Sequence, residues 1–174
     1  FTPVPEVPDD EARRIRSERI LKACGIMRDS VAVSPGELHG VVPVGEPATI
    51  EGVPGRWRVD PTQLGRSFEG RTAILSPFDR LMTDPQRLAK LFEFDYTLEM
   101  YKPARTRIWG RFALPILHGD RLIGKVDARS DHEAGEFVVH RIHEDKPFGA
   151  SVREAVENEI DEFAAWMHLA VSHS

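Results

Sequence analysis

The fold is decided between Arg71 and Lys102, in the stretch RTAILSPFDRLMTDPQRLAKLFEFDYTLEMYK. Ala73, Ile74 and Leu75 open it as a short buried strand. Ser76-Pro77-Phe78-Asp79 breaks that strand, because proline cannot donate to a sheet ladder. Asp79, in this tight elbow, is suited to capping backbone amides. Asp84-Pro85 is an N-cap residue followed by proline at the first helical position. Leu88, Leu91 and Phe92 then fall at i, i+3 and i+4, one face of a short helix over 84–92. From Tyr96 the period drops to two, with Tyr96, Leu98 and Met100 on one face and Thr97, Glu99 and Tyr101 on the other. The spacing predicts strand, elbow, helix and second strand within one supersecondary unit.

Downstream the period of two continues. Arg107 to Leu117 reads as a strand bent or bulged at Gly110 and Pro115. Leu122, Gly124, Val126 and Ala128 alternate with Ile123, Lys125, Asp127 and Arg129. Phe137, Val139, Arg141 and His143 alternate with Val138, His140 and Ile142. Hairpin after hairpin predicts an antiparallel sheet curling into a small barrel over 71–145, covered in places on both faces. Ser151-Val152-Arg153-Glu154 has the form of a capping box. Val152, Val156, Ile160, Phe163 and Met167 then mark a closing amphipathic helix within 146–174.

Upstream, Phe1–Pro8 reads as an extended linker, and the missing initiator methionine predicts a piece of a longer protein. Asp9-Asp10 are placed to cap a helix reaching Cys24, with Gly25 as its stop. Its apolar face is imperfect (Ala12, Ile15, Ile20, Cys24), and Arg13, Arg14, Arg16 and Arg19 line the rest. Thr49-Ile50-Glu51 and Trp57-Arg58-Val59 flank the turn Gly52-Val53-Pro54-Gly55. A helix followed by a hairpin is what remains of a winged helix, here over 9–66. In that reading Arg56 and Arg58 lie on the wing and reach phosphates, whereas the plain alternative puts Trp57 in the core with solvated arginines. No recognition helix is evident between Ile26 and Val44. The fold class is therefore α+β: a remnant winged helix, a small antiparallel sheet or barrel, and a C-terminal amphipathic helix.

Composition fits this reading. A chain of 174 residues with 41% apolar and 29% charged residues has the make-up of a globular protein. No apolar run approaches the roughly twenty residues of a spanning helix, and no signal-peptide pattern is present. One cysteine, Cys24, excludes an intramolecular disulfide and fits a buried small residue in a reducing cytoplasm. The net charge of −5 does not by itself point to nucleic acid; its distribution would let one end of the chain face phosphates, with an ordinary mixed-charge surface as the plain alternative. From Tyr101 to Arg129 seven cations (Lys102, Arg105, Arg107, Arg111, Arg121, Lys125, Arg129) face two acids, a net +5. From Ala150 to Ser174 one arginine stands against five acids, a net −4. His140 and His143, three apart on a strand, point to opposite faces and cannot share a metal. No glycine pattern fits a phosphate loop or nucleophile elbow.

Four blocks occur in order: Ile74-Leu75-Ser76-Pro77-Phe78-Asp79-Arg80-Leu81; Leu91-Phe92-Glu93-Phe94-Asp95-Tyr96; Glu99-Met100-Tyr101-Lys102-Pro103-Ala104; and Leu114-Pro115-Ile116-Leu117-His118-Gly119-Asp120-Arg121-Leu122-Ile123-Gly124-Lys125. The series resembles the C-terminal half of the bacterial YcaQ/AlkZ family, over about residues 11–168. The resemblance implies winged-helix DNA glycosylases acting on alkylated and interstrand-crosslinked DNA. It implies a catalytic motif of glutamine, an apolar residue, then glutamine or aspartate, lying in a half that precedes this chain. Gln63-Leu64-Gly65 and Gln86-Arg87-Leu88 do not match, so no catalytic residue is assigned. The candidate DNA contacts are Arg56, Arg58, Arg105, Arg107, Arg111, His118 and Lys125, with an exposed turn histidine the plain alternative for His118. The expected partners are the phosphate backbone of duplex DNA and the N-terminal half of the same protein. The expectation is a cytoplasmic, nucleoid-associated monomer with no cofactor, metal or membrane. The alternatives are a non-catalytic winged-helix DNA-binding or regulatory module and a structural buttress domain. The chain alone should release no base from alkylated duplex above a heat-killed control, and release by purified chain would refute that.

Overall fold

The computed structural model describes residues 6–29 and 42–174, and the chain divides into two compact units, Phe1–Ser67 and Phe68–Ser174. Phe1–Pro5 of the expected linker, and most of the segment searched for a recognition helix, lie outside the described residues.

In the first unit, helix α1 (Asp9–Cys24) leads into β1 (Ile26–Arg28), β2 (Glu46–Ile50) and β3 (Val53–Val59), paired antiparallel in the order β1-β3-β2. Gly25 stops α1 with φ 71°, donating its N–H to the Leu21 carbonyl. No side chain caps its start; Asp9, Asp10 and Glu11 instead occupy the first turn, where the helix dipole favours acids. Leu21 and Ser17 are the residues α1 buries, while Ile15, Ile20 and Cys24 are only half-buried. Met27 and Trp57 are both buried, on opposite faces of the sheet, since Met27 pairs with Arg58 and Trp57 with Arg28.

In the second unit the elements are β4 (Thr72–Ile74), α2 (Pro85–Phe92), β5 (Ala113–His118), β6 (Arg121–Asp131), β7 (Glu136–Glu144), α3 (Ala150–Trp166) and β8 (Ala170–His173). One sheet runs β4-β5-β6-β7-β8 and curls as a half-barrel without closing. The chain is thus α+β, with one antiparallel sheet, a second that is antiparallel except for its β7–β8 pair, and a helix near its C-terminus.

Neighbouring residues of β5 point to opposite faces, and both faces are covered. Ile116 joins Val126, Phe137, Val139, Val156, Ile160 and Ala164 in the core beneath α3. Leu117 faces the other way, toward Leu122, Met82, Leu88 and Phe94 at α2. The α2 start behaves as the sequence predicts, since the Asp84 carboxylate accepts from the Gln86 and Arg87 amides with Pro85 at the first position. Asp79 caps in the same way, accepting from Leu81 N–H at 2.8 Å.

Four local expectations are corrected. The strand predicted over Tyr96–Tyr101 does not form. Burial alternates there, with Phe94, Tyr96 and Leu98 inward and Asp95 and Thr97 outward, but no strand pairs with it. The strand predicted from Arg107 begins only at Ala113. The Ile108 and Trp109 amides a ladder would need are bound by Glu99, and Gly110 takes φ +119°. The register of β5 shifts between Ile116 and Leu117, just past Pro115, one of the two positions where the sequence predicts a bulge or bend. The Ser151 capping box is not used, because α3 already begins at Ala150 behind Gly149. Finally, α3 ends at Trp166, and His168 at φ 60° turns the chain into β8, which pairs parallel to β7. A parallel neighbour needs a crossover connection, and α3 is that crossover.

Edge strand β4 is partly shielded, since Glu159 of α3 accepts from the Ile74 amide at 3.0 Å. Ile160, 3% exposed, is central to the core, whereas Trp166 is 76% exposed on the same helix. Ile160→Ala should therefore cost roughly 2–5 kcal/mol in urea unfolding, while Trp166→Ala should stay within about 0.5 kcal/mol. Equal effects would place the helix face wrongly.

Candidate nucleic-acid interface

The irregular segment between α2 and β5 carries the chemistry. Two buried charges shape it. Glu99 is 2% exposed. Its Oε2 accepts from the Ile108 and Trp109 amides at 2.7 and 2.8 Å, and its Oε1 from Lys102 Nζ at 2.8 Å. Burial pushes the Glu99 carboxyl up, but the Lys102 ammonium and the two amides together outweigh it and hold the group below its usual range.

Lys125 on β6 is the second. It is 2% exposed, its Nζ donates to Asp145 at 2.7 Å, and it lies 4.1 Å from the Phe94 ring centre and 4.7 Å from that of Trp109. Tyr96 lies beside both rings and nearly parallel to each, at 6.1 Å from Phe94 and 6.5 Å from Trp109, and its hydroxyl donates to the Ala113 carbonyl. Burial pushes the Tyr96 hydroxyl pKa up to about 12, so it stays a donor.

Between these anchors, residues 99–109 form a closed surface loop whose ends meet at Glu99. Arg107 Nε donates to the Lys102 carbonyl, and the Thr106 amide and hydroxyl both donate to the Pro103 carbonyl, each at 2.9 Å. Tyr101 is 88% and Ile108 68% exposed on this loop. Arg105 and Arg111 are exposed beside them and Arg107 is half-buried.

A cavity of about 500 Å³ opens beside Ile108 and Trp109, lined also by Arg141, His143, Glu144 and Asp145. Burial pushes the His143 imidazole below its ordinary value, with a partial offset from its hydrogen bond to the Trp109 backbone, so the ring is neutral at pH 7. No group of three or more His, Cys, Asp or Glu suited to a metal occurs among the described residues.

The candidate contacts are thus placed unequally. Lys125 is corrected outright: its charge is held inside the protein and is not presented to phosphate. His118 is half-buried and bonded to Thr72 Oγ1 at 2.9 Å. In the first unit, Arg56 and Arg58 share a sheet face opposite the buried Trp57 and both reach Asp29. Arg58 is tightly held, with Nε 2.5 Å from Oδ1, whereas the Arg56 side chain is 84% exposed. Arg105 and Arg107 lie on the second unit's loop, and Arg111 is exposed two residues beyond its end. Sequence reasoning assigned Glu99, Tyr101 and Ile108 no functional role; a family-like block from Glu99 to Ala104 and the +5 balance from Tyr101 onward were the signals that pointed to their segment.

The family model for AlkZ-like DNA glycosylases matches residues 6–166. The chain belongs to that family. No solved structure matches it. Membership in a DNA glycosylase family makes this a DNA-repair, DNA-binding chain in general terms, and it gives the cationic loop a polyanion to meet.

Glu99 should be the residue on which the loop's shape depends. Glu99→Ala orphans two amides and should cost roughly 1–3 kcal/mol, with lost hydrogen-exchange protection at Ile108 and Trp109. Because the folded carboxyl is held low, this stability is present above the unfolded value of about 4.3 and lost as pH falls through the folded value. Protection at those amides that is unchanged in Glu99→Ala would show that the clamp does not hold the loop.

Proposed function

We propose that this chain is the DNA-binding portion of a winged-helix DNA glycosylase that excises or unhooks alkylated or crosslinked bases. The observation that carries the reading is the loop bearing Arg105 and Arg107, with Arg111 just beyond it, on a chain of an AlkZ-like family. Positive side chains on a closed loop give phosphate contacts in a fixed register, which position a duplex without reading its sequence. The winged-helix reading of 9–66 draws support from α1 followed by the β2–β3 hairpin, with Arg56 as its exposed wing cation. The sheet over 71–145 and the helix within 146–174 form the support of the loop.

Neither glutamine in this chain begins the family's catalytic motif, so excision is assigned to residues outside it. In this reading the protein works as a cytoplasmic, nucleoid-associated monomer alongside the N-terminal half of the same protein. A second reading, the structural buttress, is favoured by Lys125, Arg58 and His118, whose polar groups bind inside the protein.

The two readings separate by salt dependence. Each phosphate-contacting cation adds about 0.9 to the slope of log K against log salt. Arg105→Ala with Arg111→Ala should flatten the slope by roughly 1.8 if both touch phosphate and weaken all duplexes alike. Unchanged slope and affinity would favour the buttress.

A further inference from the structure

We propose that Tyr101 and Ile108 form an apolar wedge that enters the base stack of bound duplex DNA. This rests on the DNA-binding reading above and goes beyond it, because phosphate contact requires no apolar side chain.

The two side chains are 88% and 68% exposed, an unfavourable placement for a phenol ring and a branched alkyl group unless something covers them. They leave the loop at its neck. Tyr101 is two residues after Glu99, and Ile108 donates its own amide to the Glu99 carboxylate. One buried carboxylate therefore sets the position of both. The loop between them is closed by the Arg107–Lys102 and Thr106–Pro103 bonds, so ordering it on contact costs little entropy.

The surrounding charge selects the occupant. Arg105 and Arg111 are exposed and Arg107 half-exposed on either side of Ile108, which suits a polyanion with apolar faces to offer. Duplex DNA is that partner: apolar side chains with adjacent cations enter between base steps and unstack them, and an aromatic ring stacks on any base. Two other exposed rings lack this setting. Phe78 leans on Phe112 at 6.2 Å, and Trp166 stands on the acidic helix α3 near Asp161 and Glu162.

The test uses the chain and its Tyr101→Ala, Ile108→Ala and Tyr101→Phe variants. The probes are an intact duplex and one carrying an abasic site beside 2-aminopurine, where unstacking is easiest. Wild type should bind the abasic duplex more tightly and raise 2-aminopurine fluorescence. The alanine variants, equal to wild type in melting because both side chains are exposed, should lose roughly five- to hundredfold of affinity for the abasic duplex. They should also lose the fluorescence rise while keeping the wild-type salt slope. Tyr101→Phe should retain both. Alanine variants that keep preference and fluorescence, or wild type that binds without unstacking, would overturn the wedge and leave DNA binding standing. Wild type that binds neither duplex would overturn the DNA-binding reading and the wedge with it.

Discussion

The second unit depends on one buried ammonium. Lys125 leaves β6 into a cage of Phe94 and Trp109, with Asp145 as its anionic partner. A buried ion costs solvation free energy that pairing only partly offsets, so its value lies in which groups it forces together. Here it joins the exit from α2, the approach to β5, strand β6 and the end of β7. The first two have no ladder of their own, and ring contacts with a desolvated cation give them a fixed seat.

Once that seat is set, the chain between Phe94 and Trp109 has to close on itself, and Glu99 closes it. Backbone amides of a segment lying outside a sheet still need acceptors. A single carboxylate satisfies two of them and an ammonium as well. The same event removes two residues from β5 and leaves Tyr101 and Ile108 outside. Structure and interface thus share a cause: the bonds that end the strand are those that build the loop.

Cations are divided between these tasks. Lys125 and Arg87 are spent inside, Arg87 donating to the Arg80 and Leu81 carbonyls, and Arg58 is held by Asp29. Arg105, Arg111 and Arg56 keep their charge at the surface. A count of net charge cannot separate the two groups, because burial of a lysine stem depends on which rings arrive beside it.

The sequence by itself determined the elements whose cause is local. Asp84-Pro85, Asp79, Gly25 and the apolar spacing of α3 act within a few residues, so their caps and faces are legible without a fold. The alternation in β6 is equally local, because side-chain direction has period two, but in β7 a register shift opposite Asp127 and Ala128 breaks it and brings Ile142 into the core with Val139. Its ordered blocks also carried the family resemblance. Tertiary structure alone decided the rest. Alternation at Phe94–Leu98 reports which side chains turn inward, not whether another strand will lie alongside, and at Glu99 it fails even in that. The pairing of β8 with β7 depends on where α3 delivers the chain. The fates of Glu99 and Lys125 were decided by partners up to twenty residues away. A charged residue in isolation looks solvated, and only the groups that converge on it can make burial tolerable.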